Sequence, residues 1–164
     1  MASQAAVILV IDISDPSQVT FTATNANAQN NDADSWLQEG FSLIGFFQVS
    51  VTDSSLYYFD TPSNLWSPGG SFAYSTLTSI NFADPLSDTY LDLSIFGSGF
   101  STQDFSTIAP ALTGSSTADL SEWLAFLPAA GTTGNIYSGD GISFEGPIIG
   151  QYTVIPEPKI DRSR

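Results

Sequence analysis

Histidine and cysteine are absent from this 164-residue chain, and its only basic residues, Lys159, Arg162 and Arg164, crowd the C-terminal end. Without His or Cys there is no Ser-His-Asp or Cys-His catalytic system. Metal sites built on imidazole or thiolate ligands are excluded for the same reason. No Gly-Lys-Ser/Thr phosphate loop occurs, and a Ser-Lys pair would have to recruit Lys159 from a segment that reads as a tail. Nor can disulfides form. At this length none is required, because a domain of such size buries about 70% of its unfolded surface.

The missing cations leave the charge one-sided. Sixteen of the seventeen carboxylates lie in residues 1–158, giving that body a charge of −16 and the chain −14. Such a surface repels phosphate and has no basic stripe to release counterions, so nucleic acid is not an expected partner. Anionic lipid is disfavoured likewise. The acids are nonetheless sparse. A fold of this mass exposes roughly 8,000 Å², which spaces them on the order of 20 Å apart, beyond the screening length of about 8 Å. The surface is polar and close to neutral locally, rich in Ser and Thr, as suits a polysaccharide-rich setting.

Long apolar runs are missing too. Ala5–Ile11 is too short to span a bilayer and lacks a basic flank, so a mature form that does not cross the membrane is expected. Hydrophobic residues at 42% and aromatics at 13% are ample for one core.

What is present is mostly strand. Ala6–Ile13 is a continuous β-branched run, and Asp15-Pro16-Ser17 turns into Gln18–Thr24, where Val19, Phe21 and Ala23 alternate with Thr20, Thr22 and Thr24. Together they predict an N-terminal hairpin. Phe41–Val51 reads as a long central strand with a bulge at Gly45. Further strands are expected at Asp53–Phe59, Ser71–Ile80, Thr89–Phe96 (Leu91, Leu93 and Ile95 inward), Gly141–Glu145 and Ile148–Ile155. One helix is predicted over 117–127, with Leu120, Trp123, Leu124 and Leu127 on one stripe. Ser116 would cap it with Asp119 three residues on, and Pro128 would end it. The expected fold is all-β: a single antiparallel β-sandwich, jelly-roll-like, over residues 1–155, with a tail at 156–164.

Three constellations carry chemistry. A pair of glycosidase-type carboxylates could draw on Glu39, Glu122 and Glu145, of which Glu122 reads as a solvated helix residue; the chain is read as non-enzymatic. The Asn/Asp-rich loop 25–35 offers Asn27, Asp32 and Asp34 as oxygen ligands for calcium, a cofactor that needs neither His nor Cys. Its spacing is not that of an EF-hand, and the competing reading is a loop of local turn formers. Tyr57, Tyr58 and Trp66 bracket a Pro/Ser/Asn loop and could stack on sugar rings; core-covering aromatics are the alternative.

The chain closes on Gly150-Gln151-Tyr152-Thr153-Val154-Ile155-Pro156-Glu157-Pro158. This segment resembles the start of the C-terminal sorting signal of PEP-CTERM proteins, secreted proteins of exopolysaccharide-producing bacteria. In that family a hydrophobic span and an Arg cluster follow, where here Lys159–Arg164 stands. Ala2-Ser3-Gln4-Ala5 is similar to the small-residue end of a cleaved export signal, so a form trimmed at both ends is expected. The resemblance makes Pro156, Glu157 and Pro158 the sorting motif. It implies a secreted, cell-surface or extracellular-matrix protein associated with exopolysaccharide. The alternatives are a carbohydrate-binding module and a self-assembling structural subunit, with polysaccharide or copies of itself as partners.

Overall fold

A computed structural model describes residues 5–34, 40–50, 57–60, 64–70, 73–74, 76–80, 90–97, 103–139 and 146–155. Twelve strands are seen among them: β1 (Val7–Asp12), β2 (Val19–Ala23), β3 (Asp32–Asp34), β4 (Gly40–Ser50), β5 (Tyr57–Asp60), β6 (Leu65–Trp66), β7 (Thr76–Ile80), β8 (Tyr90–Phe96), β9 (Gln103–Phe105), β10 (Thr113–Ala118), β11 (Thr133–Ser138) and β12 (Ile148–Ile155). Ten of them form one sheet in the order β5-β7-β8-β4-β11-β12-β1-β2-β10-β6, and β3 with β9 makes a separate ribbon. The expected hairpin is the β1–β2 pair. The all-β class holds, but the sheet is mixed: β1 runs parallel to β12, where antiparallel pairing throughout was expected.

The sheet is open and curls into a half-barrel. Ring contacts between strands far apart in the order mark the curl. Tyr74, whose amide is tied to Leu65 of β6, meets Phe41 of β4 edge-on at 5.0 Å, although six places separate β4 and β6 in the sheet order. Phe47 of β4 likewise meets Trp123 at 4.8 Å. The inner face is therefore the apolar one. Leu9, Ile11, Phe21, Leu43, Leu93, Ile136 and Val154 all lie on it, fully buried.

Two devices seat the core. In β1 the pairing with β12 slips between Val7 and Leu9, and both Ile8 and Leu9 are buried. Gly150 makes room for this, since a Cβ there would lie 2.7–2.9 Å from three carbons of the Ile8 side chain. In β4 the register with β8 breaks between Leu43 and Phe47, around Gly45 with φ 62°, as expected for a bulge. Asp92 of β8 holds that bulge by accepting from the Gly45 amide at 2.7 Å. Asp92 and Ser94, expected to face outward, are buried. Their polar atoms find partners there, Ser94 with the Ser42 hydroxyl at 3.2 Å.

The predicted helix over 117–127 is corrected. β10 runs on to Ala118, and a 3-10 helix covers only Ser121–Phe126. Ser116 does not cap that helix; it is a buried strand residue opposite Phe21. Three residues per turn, in place of 3.6, change the buried stripe. Leu120, Trp123 and Phe126 turn inward, whereas Leu124 is 60% exposed. Asp119 supplies the local bonds instead, accepting from the Ser121 amide at 2.9 Å and hydroxyl at 2.6 Å. These bonds hold its carboxyl below the usual range. The same Asp-x-Ser arrangement recurs at Asp12/Ser14 and Asp15/Ser17, so three acids of a cation-free body are satisfied by hydroxyls and amides.

Burial pushes the Tyr152 phenol up to about 12 from its ordinary 10. A phenol neutral in the fold at a pH where the unfolded chain ionises favours unfolding as pH rises. Its contribution is intact below pH 10 and is lost between 10 and about 12, to the extent of about 3 kcal/mol. Urea melts from pH 8 to 11.5 should show this decline, and Tyr152→Phe should flatten it. An equal slope in the variant would assign the decline to other groups.

Candidate functional site

The Asn/Asp-rich loop is a set of long-range fasteners. Asn27 donates its amide NH2 to the Thr107 carbonyl at 3.1 Å, and Asn30 donates to the Ile148 carbonyl at 2.7 Å. The Asn31 side-chain oxygen accepts from the Thr107 amide at 2.9 Å. Backbone bonds run alongside, Gln29 to Ile149 at 2.8 Å and Ala111 to Ala26 at 2.9 Å. These side chains thus bind backbone some 76 to 118 residues away, not their own turn. Asp32 accepts from the hydroxyl of buried Ser138. Asp34 pairs by its backbone with Gln103 in the β3–β9 ribbon.

Among the described residues no three Asp or Glu side chains gather as a metal site would require. Asn27 and Asn30 turn amide nitrogen, not oxygen, toward their partners, and one Asp32 oxygen is engaged by Ser138. The melting midpoint is accordingly expected to coincide in millimolar calcium and in chelator, while Asp32→Ala costs about 1–3 kcal/mol by stranding the Ser138 hydroxyl. A midpoint that climbs with calcium and stops doing so in Asp32→Asn would restore the loop as a calcium site.

Of the three candidate stacking residues, the described side chain is that of Trp66, which is 40% exposed. Trp66 pairs with Thr113, and its neighbour Leu65, on the other face, is buried. Tyr57 and Tyr58 are successive positions of β5, paired with Ser79 and Thr78. β5 ends the strand order at one edge and β6 at the other.

Around Trp66 lies an outward face of which sequence reading found only the set Thr20, Thr22 and Thr24. The pairings align Ser115, Thr22, Val10, Thr153 and Thr133 in one cross-strand row over β10, β2, β1, β12 and β11. No residue of the row is charged, and Ser115, Thr22 and Thr133 are exposed. Alternation marks only Thr22 of this row as outward; the pairing register shows that the five line up.

Glu122 is exposed on the 3-10 helix, and Glu39 and Glu145 lie outside the described residues. The Pro156-Glu157-Pro158 segment also lies outside them, directly after β12. No helix among the described residues is long and apolar enough to cross a membrane. The chain matches no protein-family model, no curated protein and no solved structure.

Proposed function

We propose that this protein is a secreted, non-enzymatic component of a bacterial cell surface or extracellular matrix, working among exopolysaccharide. The observation that carries the reading is the setting of Pro156-Glu157-Pro158. It follows the last residue of β12, a strand held between β11 and β1 in the middle of the sheet. Ile155, the residue before the motif, is exposed, as the approach to a segment handed to a processing enzyme would be.

The composition supports the same address. A body free of Lys, Arg, His and Cys has no group for thiol chemistry, imidazole catalysis or phosphate capture. We take the two limbs of the curled sheet as the layers of a sandwich, with the Phe41–Tyr74 contact across its interior in support. The parallel β1–β12 pair sets it apart from an antiparallel jelly roll.

Fractionation of the producing cells tests the address. The protein is expected in the culture medium or the polysaccharide matrix, and in a precursor carrying the hydrophobic span that the resemblance implies, Pro156→Ala with Pro158→Ala should hold it back in the membrane fraction. Recovery of the unaltered protein in the cytosol would overturn the reading.

A further inference from the structure

We propose that the outward face beside Trp66 binds a neutral polysaccharide strand. The indole stacks on one sugar ring, and hydroxyls of β10, β2 and β12 bond to the rings that follow. This rests on the reading that the protein works among exopolysaccharide, and it names the site and the kind of glycan.

The indole is the first argument. An indole carries a large apolar face and a polar N–H, the combination that enriches Trp at interfaces where one side is apolar and the other wet. Trp66 is exposed, yet its backbone is pinned on both sides. Thr113 pairs with it from β10 and Ala73 bridges it from the other side. Ser115 donates its amide to the Asn64 carbonyl at 3.1 Å, and Tyr74 donates to the Leu65 carbonyl at 2.9 Å. A ring presented on a fixed backbone loses little freedom on binding, so more of its contact energy appears as affinity.

The second argument is the row that begins one step from it. Thr113, the partner of Trp66, lies two residues before Ser115 on β10. From Ser115 the row runs through Thr22 and Thr153 to Thr133, five strands and about 19 Å at roughly 4.8 Å per strand. Each hydroxyl both donates and accepts, which matches the mixed hydroxyls of a sugar. In the next row Asp12 is occupied by Ser14.

Charge selects the class of glycan. The nearest fixed charge is acidic, and residues 1–158 hold no cation. Uronate or sulfate groups would be repelled with nothing to pair them, so an uncharged chain is the ligand that fits.

Affinity electrophoresis in gels containing hydroxyethylcellulose or alginate tests the site. Hydroxyethylcellulose is expected to retard the protein and alginate to leave it unretarded. Trp66→Ala should weaken the association about tenfold or more, the step that 1.4 kcal/mol represents. The paired Thr22→Val and Thr153→Val changes keep shape but remove two hydroxyls, and should weaken it about threefold. Leu124→Ser, exposed on the 3-10 helix, should change nothing. If Trp66→Ala and the paired threonine variant, both folded by thermal melt, run like the unaltered protein in hydroxyethylcellulose, this face is not the site. Absence of any retardation of the unaltered protein also overturns the proposal. Neither result touches the fractionation experiment, so a protein that is secreted but not retarded keeps its address and loses this site.

Discussion

Phe47→Ala is expected to remove about 3–5 kcal/mol of stability, a large part of the 5–15 kcal/mol that a typical domain possesses. Phe47 is fully buried. It touches Phe46 edge-on at 5.1 Å and Trp123 at 4.8 Å. It stands just past the bulge in β4, where the slipped register turns two consecutive aromatics, Phe46 and Phe47, into the core. Phe46 reaches Tyr152 of β12 at 5.7 Å, while Phe47 reaches the 3-10 helix beyond β10. Removing the Phe47 ring leaves a cavity at the point where the curl of the sheet is closed. Trp123 is only half-buried, so Trp123→Ala should cost less than Phe47→Ala. A double-mutant cycle should return a coupling of about 0.5–1.5 kcal/mol for the pair. Urea melts measure all three values. A Phe47→Ala loss below about 1 kcal/mol would mean that the core refills the space and that this contact does not set the curl.

The strands were legible where one physical rule decided them. β2 alternates because one face is wet, and Thr20/Thr22 against Val19/Phe21 is enough to read it. The Gly45 bulge was legible because a glycine inside a long apolar strand has few other uses. The helix over 117–127 was misread for a reason of period. Leu120, Trp123, Leu124 and Leu127 fit a 3.6-residue stripe, but Phe126 fits a 3-residue one equally well, and tertiary contact with Phe47 chose the latter. Asp92 was misread because alternation assigns it to water; whether a face is covered is not a property of the strand itself. The parallel β1–β12 pair was beyond reach for a similar reason, since periodicity never says which strands meet.

The loop at residues 25–35 shows the same division at the level of a site. Asn and Asp in sequence announce that backbone groups will be bonded by side chains. They do not say whose backbone. Asn27, Asn30 and Asn31 could have closed their own turn, yet they tie segment 106–111 and β12 into place. Exposure of Trp66 is likewise a tertiary fact. It depends on β6 being a two-residue edge strand whose Leu65 takes the inward position, a matter of one residue of register.

Gly114→Ala is expected to detach the Trp66 edge while leaving most of the sheet intact. Gly114 has φ +82°, and a Cβ there would clash with the Asn64 carbonyl oxygen and lie 3.3 Å from Cδ1 of Trp66. The backbone conformation alone costs an alanine about 1–2 kcal/mol, and the obstructing atom is backbone, which cannot swing aside. Two responses are open to the molecule. It can keep β6 in place and bear the strain, or it can release the two-residue pairing with β10. Release is cheaper, because β6 contributes only Thr113/Trp66 and Gly114/Leu65 to the ladder whereas β10 remains anchored to β2 by four residue pairs. Global stability should therefore fall by only about 1–3 kcal/mol. Amide exchange should quicken locally by far more, at Ser115 and Tyr74, whose amides bond to Asn64 and Leu65, than at Phe21 or Leu9 in the sheet centre. Retention by hydroxyethylcellulose should drop with it, because a loosened indole must be ordered again before it can stack. Uniform acceleration of exchange across the sheet would show instead that β6 is integral to the fold. Unchanged exchange at Ser115 would show that alanine is tolerated there and that the seat of Trp66 does not depend on Gly114.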